Sequence, residues 1–185
     1  MRANWTHRRR LSYPVLLLSV ATEPSESKLS DPPTLEGQLA QVPFFSGLTP
    51  EAIGLIKQAV TEESHATGTK LFQFGDVGDK LFIILEGRVR ISREIPGMGE
   101  EALAVLGPGE VFGEMSLLDE FARSADACVH ERCRLLVITK ERFDDLLFLH
   151  KDLAYEVLWN SVKILSMRLR ETNEKVTFLT TSGRF

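Results

Sequence analysis

The sequence predicts an α+β domain, mainly β, in which a sandwich or barrel of short strands lies between an N-terminal helix and C-terminal helices. Three observations carry this. Between Thr69 and Thr139, short β-rich apolar runs recur at even spacing, broken by glycine. Before them, Thr49 followed by Pro50 reads as a capped helix start. After them, a seam from Leu158 to Leu179 repeats at spacings 4-3-4-3-4-3. The 185 residues suffice for one domain with its own core plus attachments.

The elements follow in order. Residues 1–34 differ from the rest: Arg2, Arg8, Arg9 and Arg10 precede an apolar stretch from Leu11 to Ala21, then a segment rich in Ser, Pro and Glu. They read as a disordered leader, although basic, apolar and then Ser19-Val20-Ala21 is also a signal-like pattern, interrupted by Pro14. Residues 35–150 form the main domain. Phe44, Phe45 and Leu48 are packing residues, and the helix from Pro50 to about Thr61 presents Ile53, Ile56 and Val60 on one face. The strand candidates are 70–74, 80–85, 88–95, 101–106, 124–129 and 135–139. The alternation in Arg88-Val89-Arg90-Ile91-Ser92-Arg93 assigns its arginines to a solvated face. Thr139 caps a helix from Lys140 to Leu147, and residues 151–185 hold a longer helix from about Asp152 to Leu179 with its tail. Its seam is Leu158, Val162, Leu165, Leu169, Thr172, Val176 and Leu179, and sustained 3.5 spacing calls for a partner helix, here a parallel homodimer.

Composition excludes several classes. Hydrophobic residues make up 43%, as in ordinary globular proteins, and a net charge of −4 gives no global attraction to nucleic acid. Apolar runs such as Val15 to Leu18 are far too short for a membrane span. Cys128 and Cys133, placed as if opposed across a strand turn, read as reduced thiols; with His130 they lack a fourth metal ligand. No nucleophile–base pair and no metal-ligand set is evident, so the chain is read as a non-enzyme with no cofactor.

The most specific run is Val111 to Ala125. It sets a carboxylate, Glu114, nine positions before a guanidinium, Arg123, with a glycine-entered stretch of helix formers between them. Such a layout suits a ligand with one phosphate and a free ribose hydroxyl. Glycine allows close backbone approach, a helix start favours negative charge, arginine forks onto two phosphate oxygens, and a carboxylate accepts from a hydroxyl. Phe112-Gly113-Glu114-Met115-Ser116-Leu117 and Ala122-Arg123-Ser124-Ala125 resemble the phosphate-binding cassette of the cyclic-nucleotide-binding domain family. Gly75-Asp76-Val77-Gly78-Asp79, Leu85-Glu86-Gly87-Arg88-Val89 and Leu106-Gly107-Pro108-Gly109-Glu110 resemble that family's other glycine turns. The resemblance covers roughly residues 38–178.

The resemblance implies an eight-stranded jelly roll (a double-stranded β-helix barrel). It implies Glu114 on the ribose 2′-hydroxyl, Arg123 on the cyclic phosphate, and Gly113, Met115 and Ser116 offering amides or close approach. Ser124 would reach a phosphate oxygen or the amino group of a guanine. The tail from Arg168 to Val176 resembles the dimer helix of the catabolite-activator members, in which a Thr-Ser pair reads the adenine amino group. Here Thr172 is kept and Asn173 replaces the serine. Leu81, Ile83 and Val89 are candidates for the purine pocket or, equally, for the core. The resulting expectation is a stand-alone cytoplasmic sensor of cAMP, or alternatively of cGMP or a cyclic dinucleotide. Its partners would be a second copy of itself and an unidentified downstream protein. Because the sequence ends at Phe185 without a recognition helix, direct DNA binding is not expected. A ligand-independent interaction module is the rival reading.

Overall fold

The computed structural model describes residues 34–181, so the leader expected over 1–34 lies outside it apart from Thr34, which accepts from the Gly37 amide and caps the first helix. The elements are α1 (Leu35–Ala40), a 3-10 turn (Pro43–Phe45), α2 (Pro50–Ala59), β1 (Thr61–His65), β2 (Lys70–Phe72), β3 (Lys80–Ile95), β4 (Gly99–Leu106), β5 (Val111–Phe112), α3 (Met115–Asp119), β6 (Asp126–Thr139), α4 (Lys140–Leu149) and α5 (Lys151–Thr181). Thr49 and Thr139 cap α2 and α4 as expected, accepting from the amides of Ala52 and Arg142.

The strands form one antiparallel sheet in the order β1-β6-β3-β4, with β2 also on β6 and β5 also on β3. Among the described residues there are thus six strands, and their hydrogen bonding does not close into a ring, where an eight-stranded barrel was expected. The difference arises because two expected pairs are single long strands. Runs 80–85 and 88–95 merge into β3, and runs 124–129 and 135–139 merge into β6. The β3–β6 register shifts between Ile84 and Val89, where an interruption was expected. Gly87 sits at this bulge with φ +84°, and a Cβ on it would lie 2.1 Å from the Arg132 carbonyl oxygen. It therefore bends a strand that continues through it. Cys128 and Cys133 likewise sit on one unbroken strand, not across a turn, and both are free thiols. Burial pushes the Cys133 thiol up from its ordinary value.

The centre of the sheet is covered on both faces. Leu81 and Ile83 of β3, with Leu136 and Ile138 of β6, pack against Phe44, Phe45, Ile56, Phe143 and Val157 from the helices. Their neighbours Phe82, Ile84, Leu135 and Val137 face a second core with Phe112 and Val129. Burial on both faces explains the unbroken apolar runs in these strands. Phe44 and Phe45 are buried and Leu48 packs beside them, as expected. Leu81, Ile83 and Val89, weighed earlier for a purine pocket, are core residues, each fully buried. The outer strand segment behaves partly as anticipated. Arg88 and Arg90 pair with Glu131 and Glu100 across the sheet. Arg93, however, stacks 3.3 Å above the centre of the Phe74 ring and donates to the Ser124 carbonyl at 3.0 Å.

The first half of α5 is anchored. Leu153, Ala154 and Val157 are buried, and the Asn160 amide donates to the Ser46 carbonyl at 2.7 Å. From Leu169 onward every described side chain is exposed. Leu158, Val162, Leu169, Thr172 and Val176 of the expected seam face solvent, Leu165 is half-buried, and the side chain of Leu179 lies outside the described residues. Among the described residues no helix is long and apolar enough to cross a membrane, and no group of three His, Cys, Asp or Glu side chains converges to hold a metal.

Gly87→Ala combines a left-handed backbone with a backbone collision that no rotamer relieves. It is expected to cost about 3 kcal/mol or more, read as a lower urea midpoint at unchanged slope.

Candidate functional site

The site is built where β5 meets α3. β5 is held to β3 by the pairs Phe82–Phe112 and Ile83–Val111, and the chain then turns sharply at Gly113, with φ +77°. A Cβ there would stand 2.6 Å from Arg123 Nη1 and 3.1 Å from the Lys80 carbonyl oxygen. Glycine is thus required both for the turn and for the approach of the arginine. Glu114 caps α3 through its backbone, and its carbonyl receives the amides of Leu117 and Leu118. The amides of Met115 and Ser116 open the helix, where helical geometry supplies no carbonyl for them.

Arg123 returns from the far side of the cassette, held through its backbone by Asp76 and Gly75. Its side chain is 2% exposed. Nη1 donates to the Gly113 carbonyl and Nη2 to the Lys80 carbonyl, each at 2.7 Å. The guanidinium lies 4.2 Å above the Phe72 ring, which joins the near-parallel pair Phe82 and Phe112 below it. Its Nε is buried without a partner. The nearest carboxylate oxygen, on the well-exposed Asp79, is 4.0 Å away. Burial pushes the guanidinium's pKa down and Asp79, Glu114 and Asp76 push it back; arginine remains charged. The outcome is a buried cation with open donors and little counter-charge.

The Glu114 side chain is 3% exposed and meets Arg168 from α5, whose Nη1 donates to Glu114 Oε1 at 2.6 Å. Arg168 Nη2 donates to the Val111 carbonyl, also at 2.6 Å. Burial raises the Glu114 carboxyl above its ordinary value, and Arg168 is the largest influence in the other direction. One turn past Thr172, Lys175 donates to the Leu103 carbonyl of β4 at 3.0 Å. Together β4, the cassette and α5 enclose a cavity of about 450 Å³, within the usual range for small-molecule sites.

Gly113, Glu114, Met115, Ser116, Arg123, Ser124 and Thr172 all line this cavity. Ser124 is exposed, with Oγ 3.8 Å from the Met115 sulfur. Asn173 does not line it: a helix turns about 100° per residue, which carries Asn173 off the face that Thr172 presents. The sequence reading missed Arg168, Glu171 and Lys175, and also the apolar wall of Ile91, Leu103, Ala104 and Leu106. A signal for the α5 group existed, since positions 168 and 175 lie four and three residues from Thr172 and so share its face, and Glu171 is spaced three and four residues from the same two. The β4 wall carried none, because its residues read as an ordinary strand.

Residues 62–150 match the family model described as the cyclic nucleotide-binding domain. Over these residues the chain carries a cyclic nucleotide-binding domain. It is 40% identical over 137 residues to the cyclic AMP receptor protein of Thermus thermophilus, covering 74% of this chain and 62% of that one. It therefore spans about three-fifths of that relative's length. Among solved structures it resembles a cyclic nucleotide-binding domain from Methylobacillus flagellatus, with a TM-score of 0.71 and 25% identity over 77% of this chain and 82% of the other. It also resembles the N-terminal domain of a transcriptional regulator from Streptomyces coelicolor, with a TM-score of 0.62 and 32% identity over 75% of this chain and 94% of the other. The family is one of regulatory domains that bind cyclic nucleotides.

The Glu114–Arg168 pair has a pH signature. The folded pKa of Glu114 lies above its unfolded value, so stability from its proton is complete below the unfolded pKa and is lost as pH rises through the folded one. Arg168→Ala removes the opposing cation and raises the folded pKa further. The variant's deficit against the parent should be small near pH of about 4 and grow to about 1–3 kcal/mol near pH of about 7. Urea unfolding at both pH values reads it, and a deficit independent of pH would contradict the pairing.

Proposed function

We propose that this domain senses a cyclic mononucleotide, cAMP foremost, and relays occupancy of the cavity through α5 to a downstream protein partner. The observation that carries the reading is Arg123, a buried guanidinium whose Nε has no partner and which lines a cavity that α5 helps to wall. A cyclic phosphate supplies the missing negative charge and the acceptors for the open donors. Glu114 receives the ribose hydroxyl, while Gly113, Met115 and Ser116 bring backbone amides close to the phosphate. Thr172 meets the base from α5, and Ser124 stands beside the phosphate. The likeness to a cyclic AMP receptor protein supports the choice of ligand.

Relay follows from how the cavity is divided. Its cassette wall is fixed to the sheet, while its α5 wall is tied on by Arg168 and Lys175. A ligand touching both walls binds more tightly when α5 is drawn in, and this difference in affinity is what shifts the helix. The break at His150 between α4 and α5 is the natural hinge.

The exposed seam supports a second part of the proposal, a parallel homodimer through α5. Leu158, Val162, Leu169 and Val176 present apolar surface at coiled-coil spacing with nothing over it. Leu169→Glu places a charge in the seam and should convert dimer to monomer in sedimentation velocity. A parent protein that sediments as a monomer at high concentration would remove the dimer from the reading.

Arg123→Ala should weaken cAMP by about a hundredfold or more, measured by calorimetric titration beside cGMP and a cyclic dinucleotide. Unchanged affinity would sink the assignment of the phosphate site. Absence of heat with all three ligands, together with a stable dimer, would favour a ligand-independent interaction module.

A further inference from the structure

We infer that Arg93 is a positioning residue for the phosphate site. From β3 it clamps the Ser124 carbonyl and the Phe74 ring, and so fixes the backbone from which Arg123 reaches the cavity. The inference rests on the reading of the cavity as a cyclic-mononucleotide site. It extends that reading to a side chain that does not itself line the cavity.

The backbone of Arg123 is not carried by a strand. It precedes β6 and rests on the loop between β2 and β3. The Gly75 amide of that loop donates to the Arg123 carbonyl at 3.0 Å, and the Asp76 carbonyl receives the Arg123 amide at 2.8 Å. The loop has little packing of its own, since Phe74 and Val77 are both exposed. Its shape is held by polar contacts. Asp76 accepts from the Gln73 amide, and Asp126 at the start of β6 accepts from the Phe74 amide, both at 2.8 Å. Arg93 adds a tie to the sheet. Its guanidinium lies 3.3 Å above the centre of the Phe74 ring, and its Nη1 donates to the Ser124 carbonyl at 3.0 Å. One side chain thus joins β3, the loop under Arg123 and the peptide unit just beyond it. Arginine suits both contacts, because its flat face stacks on a ring while an edge N–H donates to a carbonyl.

Arg123 is anchored at two ends. Its Nη atoms are pinned to the Gly113 and Lys80 carbonyls, and its backbone is pinned to the loop. The unpartnered Nε lies between these ends, so its direction is fixed only while both hold. A binding group delivers its hydrogen bond only when held to within about 0.5 Å and about 20° of the productive geometry. Loosening the backbone end therefore weakens contacts to the phosphate without touching those to the base.

The test is calorimetric titration of the parent, Arg93→Met and Arg93→Lys with cAMP and its two phosphorothioate diastereomers. In these, sulfur replaces one or the other exocyclic phosphate oxygen. Methionine keeps the length and the apolar contact with Phe74 but removes the donor and the charge. Lysine keeps the donor and the charge but has no plane to stack. The parent should distinguish the diastereomers, because a fixed Arg123 meets the two phosphate oxygens differently. Arg93→Met should lose about five- to tenfold in affinity for cAMP and bring the two diastereomers closer together. Arg93→Lys should recover most of both effects. A residue that merely supports the fold would lower the urea midpoint and scale all three affinities alike. Unchanged cAMP affinity in Arg93→Met, equal losses for all three ligands, or a parent that binds both diastereomers equally overturns the role of Arg93 and leaves the sensor intact. A parent that binds none of the three overturns the sensor reading and this inference together. Circular dichroism checks folding. Should Arg93→Met fail to fold, Phe74→Leu removes the stack from an exposed position and should shift the same ratio in the same direction.

Discussion

A guanidinium buried to within a few per cent of completely must find its hydrogen bonds and its counter-charge inside the protein or in a ligand. Arg123 finds part of each. Its Nη atoms are spent on the carbonyls of Gly113 and Lys80, which tie the end of the β5 turn to the start of β3. Its face rests on Phe72, itself stacked into the interior aromatic group with Phe82 and Phe112. The same residue therefore joins the sheet, the cassette and the inner core. The glycine at 113, the short β5 and the loop carbonyl of Asp76 are all arranged around its reach. Counter-charge is the portion left incomplete, and the proposed phosphate site rests on that incompleteness.

The second organising contact is the reach of α5 across the cavity. Arg168 pairs with a carboxylate that burial would otherwise drive towards its neutral form. It also binds the Val111 carbonyl, so the helix reads both the side chain and the backbone of the cassette. The sheet is the fixed frame for this contact, because β3 and β6 are covered on both faces at their centre.

Much of this was legible in the sequence. The Gly113–Glu114 and Arg123–Ser124 pairs could be recognised because chemistry fixes their residue types and the loop fixes their spacing. Thr49 and Thr139 announced helix starts through local hydrogen bonding alone. Strand count was not legible, since a glycine can end a strand or merely bend it. At Gly87 the answer depends on Arg132, 45 residues away in sequence and present only once β6 has paired. Arg93 looked like a solvated side chain because nothing local announces the Phe74 ring. Asn160 and Arg168 looked like ordinary polar residues of a helix surface; their partners, the Ser46 carbonyl and Glu114, come from distant segments.

α5 also carries a gradient of support along its own length. Its first turns are packed on Phe44 and Phe45 and fastened by Asn160, whereas beyond Arg168, among the described residues, the hydrogen-bonded tie to the rest of the chain is that from Lys175 to Leu103. The exposed stretch is about a dozen residues, near the length at which an isolated helix is marginal in water. Unfolding that stretch exposes little additional apolar surface, so it contributes little to global stability while remaining free to fray from its end. The end of α5 is thus a segment whose degree of order is set by what lies against it.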